Sequence, residues 1–296
     1  GAGTVKARCS FRINCVMELT TEHPKPHLDL SLGVHRDRTF IERQFSRYPF
    51  HICRPLYVDN HPRGMATVYV QSCAGGIFSG DQLRVRVRAQ AHSQTHLTSQ
   101  ASTVIHRMTG SSAVLDTSVQ MEEGAFVEYL PDPVILFPEA DLTSRFSLQL
   151  NERSVAIFSD SFLMYDPYHQ GKYFSNFTNE TSVYNSDNEL LCRDRPSVSG
   201  LEVAEQNTGI IGTKTAVGTF YYLNSGQDVG RMHEKLSDSI QDVSTAYVGV
   251  STLPSEAGIW ARIIASEVAD LRHAMEYLWF AAREHATGHR PLKRKK

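Results

Sequence analysis

The sequence predicts a mainly β protein with a few α-helices near its C-terminus. Three observations lead there. Leu83-Arg84-Val85-Arg86-Val87-Arg88-Ala89 alternates strictly, so Leu83, Val85, Val87 and Ala89 share one face and the arginines the other; that is the pattern of a half-buried strand. Many other short apolar segments are separated by Gly, Pro, Asn or Asp clusters. Helical periodicity enters only after residue 228.

Taken in order, strands are expected at 67–72, 83–89, 113–120, 125–130, 145–150, 154–158, 181–185, 201–204, 217–223 and 246–251. Arg145 to Leu150 repeats the strict alternation, and Ala125 to Leu130 does so less cleanly. Short strands with frequent turn signals predict an antiparallel-rich architecture. Val229, Met232, Leu236 and Ile240 recur at helical spacing and predict a helix over 228–241. In the last helix Ser266 is the expected cap, with Glu267 in the first turn. Val268, Leu271, Met275, Leu278 and Ala282 line one face, and Gly288 follows the end. Trp279 and Phe280 widen that face; it reads as docked onto the β core, with a partner surface as the alternative. The chain divides into an N-terminal extension, 1–27, without clear periodicity, a single domain, 28–288, and a basic tail, 289–296. The tail reads as a solvated terminus.

Composition narrows the function. With 296 residues and 41% hydrophobic content, a sizeable core is available. A net charge of −2 provides no field that favours nucleic acid or an acidic membrane. The five cysteines, at 9, 15, 53, 73 and 192, form no C-x-x-C pair, which argues against a disulfide framework or a structural zinc site. A reducing, cytoplasmic setting is expected.

The most distinctive stretch is Cys73-Ala74-Gly75-Gly76-Ile77-Phe78-Ser79-Gly80-Asp81-Gln82-Leu83. Gly75 and Gly80 have phosphate-loop spacing, but Asp81 and Gln82 stand where that loop needs Lys and Ser or Thr. A carboxylate there repels phosphate. The glycines instead allow positive φ or close backbone approach. Asp81 is then either a turn cap or a carboxylate facing a polar channel. Leu130 to Leu142 contains Pro131, Pro133 and Pro138 and reads as a stiff connector carrying Asp132, Glu139 and Asp141. His92, His96, His106 and His169 have no spacing of a tight metal site. Motifs for a hydrolytic nucleophile are missing as well.

The order of motifs resembles the UreD (UreH) family of urease accessory proteins. Gly75 to Asp81 is similar to its Gly-Gly-x-x-x-Gly-Asp signature, and Leu97 to Arg107 to its Thr-Gln-Ala segment. Gly124 to Val134 with Phe137, Leu191 to Arg195, and Gly258 to Ile263 with the Trp279 helix resemble later blocks. Val104, His106 and Pro133 depart from it, standing where many members carry Lys, Tyr and Glu. The resemblance implies helically stacked β-sheets, a solenoid-like scaffold, and no independent catalysis. It implies binding to apo-urease and UreF, recruitment of the GTPase UreG through UreF, and passage of nickel through an internal channel, with no tightly bound cofactor. A conduit should hold nickel weakly, which suits carboxylates better than thiolates. Asp81, Asp132, Glu139 and Asp141 are the candidates for that transient hold. The alternatives are a β-rich hydrolase or lyase with a carboxylate site near Asp132 and Glu139, or an assembly factor for another metalloenzyme.

Overall fold

A computed structural model describes residues 25–224 and 229–294. Most of the 1–27 extension therefore lies outside the described residues. The described chain opens with a hairpin, β1 (Leu28–His35) and β2 (Arg38–Ser46), followed by a short β3 (Phe50–Ile52). From there successive strands swing between two sheets. β4 (Ala66–Ser72), β6 (Gln94–Ser99), β9 (Phe126–Tyr129) and β12 (Val155–Met164) lie in one. β5 (Gln82–Ala89), β8 (Ala113–Met121), β11 (Asp141–Gln149) and β13 (Asn176–Tyr184) lie in the other. Two short strands, β7 (Val104–Ile105) and β10 (Val134–Leu136), attach beside β12.

Each turn of chain thus adds one strand to each sheet, and neighbours within a sheet run parallel. The first sheet pairs β4 with β6, β6 with β9 and β9 with β12 in parallel. The second pairs β1 with β5, β5 with β8, β8 with β11 and β11 with β13 the same way. This is the helically stacked, solenoid-like fold that the resemblance implies. It corrects the antiparallel-rich expectation. Turn residues mark where a strand ends, but the next strand here crosses to the opposite sheet instead of folding back on its predecessor. Antiparallel pairing appears towards the ends of the sheets, as in β1 with β2 and β12 with the later strand β16 (Ala216–Asn224).

The remaining chain decorates and caps. β14 (Leu190–Asp194) and β15 (Ser197–Ser199) close one edge. The strand expected at 201–204 is instead α1 (Gly200–Ala204), because Ser199 and Glu202 form a reciprocal capping box. After β16 come α2 (Val229–Ser239), β17 (Ala246–Thr252), β18 (Gly258–Ala265) and α3 (Val268–Thr287). Leu30, Val87, Leu97, Val127, Leu148 and Phe158 fill the space between the sheets. A second core packs α2 and α3 onto the outer face of the first sheet, through Met232, Leu236, Leu271, Ala274 and Leu278 against Phe220, Ile259 and Ile263. Burial of those faces, rather than helical propensity, holds both helices in place. Two details of α3 differ from expectation. Its N-cap is Glu267, which makes no side-chain cap bond. The Ser266 hydroxyl accepts from Lys214 Nζ at 2.9 Å instead. At the other end Gly288 adopts φ 76° and stops the helix as expected. Among the described residues no helix is long and apolar enough to cross a membrane.

Candidate functional site

The strand alternation that builds the sheets also sets what faces their interior. In β5, Leu83, Val85, Val87 and Ala89 point inward and are buried, while Arg84 and Arg86 pair outside with Asp116 and Asp29. Between the sheets the packing is incomplete and leaves a cavity of about 340 Å³. Its walls include Val85, Leu115, Phe146 and Phe158, and its polar lining includes Asp132, Asp160, Asn179 and Thr181. The turn at Gly75 and Gly76 and the loop around Thr103 form part of its rim.

Asp160 is the most perturbed group in that lining. Burial pushes its carboxyl up to about 7; nearby Asp194 adds to the rise and Arg262 opposes it. Among the described residues Asp160 Oδ2, Asn179 Nδ2 and Thr181 Oγ1 are buried without a well-formed hydrogen bond, although Asn179 is near enough to Asp160 to lower its carboxyl slightly. All three belong to residues lining the cavity. Unpaired buried polar atoms are costly, and these face a space that can hold ordered water or another polar group. Behind Asp160, Asp194 accepts from the Tyr221 hydroxyl at 2.7 Å and from Arg262 Nη2 at 2.8 Å.

The four carboxylates expected from the sequence do not gather. Asp132 lines the cavity, its side chain is 10% exposed, and Arg272 lies 3.8 Å away. Its backbone N–H donates to Ser99 Oγ at 2.7 Å, which fixes the connector against β6. Asp81 caps a turn: its Oδ2 accepts the Phe78 N–H at 2.8 Å. Glu139 pairs with Arg107 at 2.7 Å and is 44% exposed. Asp141 begins β11, and partial burial raises its carboxyl above the ordinary range. Neither Asp81, Glu139 nor Asp141 is among the lining residues. Among the described residues no three His, Cys, Asp or Glu side chains are grouped to hold a metal ion.

The glycine motif serves backbone approach. Gly76 has φ 144°, and a Cβ there would sit 2.3 Å from the Val104 carbonyl oxygen. The histidines are dispersed. His106 stacks on Phe78 and contacts the Gly75 carbonyl at 3.0 Å, while His92 and His169 sit in left-handed turns. His96 belongs to a buried ionic cluster that the sequence did not reveal. Its Nδ1 lies 2.5 Å from Glu128 Oε2, its register partner on the adjacent strand. Arg283 of α3 forks onto both Glu128 oxygens at 2.5 and 2.6 Å and reaches Asp59 at 3.0 Å. Burial alone would raise the Glu128 carboxyl, but Arg283 and His96 together hold it below the usual range. Burial, and then the Arg294 charge, push His96 down to about 4. The neutral ring therefore donates through Nδ1 to Glu128.

Arg294 covers this cluster. Its guanidinium lies 4.6 Å from the Trp279 ring centroid, with Nη2 3.1 Å from His96 Nδ1. Leu292 N–H donates to Asp59 Oδ1 at 2.9 Å and Lys293 pairs with Glu276 at 3.1 Å. The solvated-terminus reading of the basic run is thus corrected at Arg294, while the Lys293 side chain is 70% exposed. Trp279 gives the guanidinium an aromatic face, while burial pulls the Arg294 pKa down to about 10. Lys295 and Lys296 lie outside the described residues.

Residues 25–296 match the sequence model of the UreD urease accessory protein family. The chain is similar to "Urease accessory protein UreD 1" of Pseudomonas syringae pv. syringae, 32% identical over 87% of this chain and 90% of that protein. It is similar to "Urease accessory protein UreD 1" of Methylorubrum populi, at 30% identity over 87% of each chain. A relative of the same name from Bradyrhizobium is 29% identical over 88% of this chain and 90% of its own length.

Proposed function

The chain belongs to the UreD urease accessory protein family, and on that premise we propose that it is a non-catalytic scaffold that delivers nickel to urease. In this reading it binds apo-urease, engages UreF and through it the GTPase UreG, and passes nickel between its two sheets. It acts in the cytoplasm.

The observation that carries the reading is the largely apolar cavity between the sheets with carboxylates set into its wall. A conduit must release its cargo, so its ligands should be few, hard and weak. Asp132 and Asp160 supply carboxylate oxygen inside a wall that is otherwise largely apolar. An Asp160 carboxyl poised near 7 exchanges a proton for a cation with little penalty near neutral pH. Thr181 Oγ1 adds a neutral oxygen to the same lining, and Asn179 Nδ2 a hydrogen-bond donor. We assign the transient hold to Asp132 and Asp160. Asp81, Glu139 and Asp141 remain proposed contacts outside the cavity, Asp81 being nearest in sequence to the Gly75–Ile77 rim.

A hydrolase or lyase at Asp132 and Glu139 has less support. Glu139 is exposed, ion-paired and absent from the lining that contains Asp132. Co-expression of the chain with urease subunits, UreF and UreG tests the proposal. The expected result is copurification with apo-urease and UreF and a rise in nickel-dependent urea hydrolysis. Absence of both would remove the reading.

A further inference from the structure

The turn joining β1 to β2 borders a second groove, open to solvent and about 610 Å³ in volume, that nickel delivery does not use. Arg36, Arg38 and Arg63 line it together with Tyr57, Asp37 and Asp59. All three arginines are exposed. Among the described residues none of the three has a carboxylate partner.

Backbone geometry holds this groove in shape. Arg36 and Asp37 are both left-handed, with φ of 50° and 59°, which closes the hairpin tightly. Gly64, with φ 82°, packs directly on that turn: a Cβ would lie 2.2 Å from the Asp37 carbonyl oxygen. The Gly64 carbonyl accepts the Thr39 N–H at 3.0 Å. Tyr57 donates its hydroxyl to the Thr39 carbonyl at 2.7 Å. The Arg38 guanidinium rests 3.6 Å from the centre of the Tyr57 ring. Stacking of that kind orients a guanidinium while leaving its N–H donors free.

The charge in the groove is unbalanced. Asp59 is turned inward: its oxygens accept from Arg283 and from the Leu292 N–H, and its side chain is 7% exposed. Asp37 alone then faces three guanidinium groups.

We propose that this groove binds a carboxylate-rich peptide segment of a protein partner. Guanidinium forks match carboxylates in bidentate geometry, and every cation lining the groove is arginine. Arg and Tyr together are the side chains that most often anchor protein interfaces. A phosphate site would be enclosed and floored by converging backbone N–H groups. This groove is open, and the Thr39 N–H beside it is already bonded to Gly64.

The test is fluorescence anisotropy of the full chain with a labelled oligoglutamate peptide, competed by inorganic phosphate or by single-stranded DNA. The peptide is expected to bind saturably at low salt and to weaken as salt screens the arginines. Arg36→Gln with Arg63→Gln should weaken it by about tenfold or more, while Arg88→Gln with Lys172→Gln, which removes equal charge elsewhere, should change it by less than about twofold. Both double variants alter exposed or half-exposed side chains, so their unfolding midpoints should stay near that of the parent. Equal weakening by the two pairs would overturn the proposal. So would an absence of saturable peptide binding, or tighter binding of phosphate or DNA than of the peptide. No urease component enters the assay, so its outcome is independent of the delivery reading.

Discussion

At Glu128 a fully buried carboxylate meets a fully buried arginine, each stabilised chiefly by the other, with His96 also on Glu128 and Asp59 also on Arg283. Removing one partner of such a pair leaves an uncompensated buried charge, at a cost of about 3–5 kcal/mol. Glu128→Ala should lower the urea-unfolding free energy by about that amount. Its pH dependence has a definite sign. Glu128 is depressed in the fold, so its contribution is present above its ordinary value of 4.5 and is lost as pH falls below that. His96, lowered from 6.5 to about 4, adds loss of stability over that interval, because the unfolded ring takes up the proton first. Asp160 behaves oppositely. Its carboxyl is raised from 3.8 to about 7, so it is unfavourable above 7 and harmless below 3.8. Asp160→Asn should therefore unfold at higher denaturant than the parent at about pH 8, with the gain vanishing towards about pH 4. In the sequence Asp160 lies just beyond the apolar run expected as a strand at 154–158. Nothing in that run tells that Asp194, Arg262 and the cavity surround it.

At the scale of elements, strict alternation was the reliable signal. It located β5 and β11, whose outer faces are polar. It could not locate β6, where Thr95, His96, Leu97 and Thr98 are all buried and the polar residues face other protein. The strand expected at 201–204 failed for a different reason. Leu201-Glu202-Val203 alternates, but the Ser199 to Glu202 capping box was also present in the sequence and decides for a helix. Strand direction was not legible, because parallel pairing depends on a partner one full coil away. The glycine signature was legible in kind: Gly76 is required where its backbone meets Val104. Gly76→Ala should cost about 1–3 kcal/mol by forcing that strained contact, measurable as a lower unfolding midpoint. The clustered anchoring of α3 was not legible, since Arg283 looks like any surface arginine until Glu128 and Asp59 are seen beneath it.

At the scale of the whole molecule, two stacked sheets leave an interior cavity that neither sheet could enclose alone. The candidate site is correspondingly split. Asp132 was visible from the sequence as an acid in a proline-stiffened connector, and the fold brings it to the cavity. Asp160 stands on β12 in one sheet and Asn179 and Thr181 on β13 in the other, so they meet only across the space between the sheets. The delivery account requires these groups to act on nickel transfer and not on assembly. The direct measurement is the nickel content of urease purified after co-expression with UreF, UreG and the Asp132→Asn/Asp160→Asn variant. The account predicts that the variant remains folded and copurifies with apo-urease, while the urease carries little nickel and little activity. Urease fully loaded with nickel in the presence of that variant would contradict it.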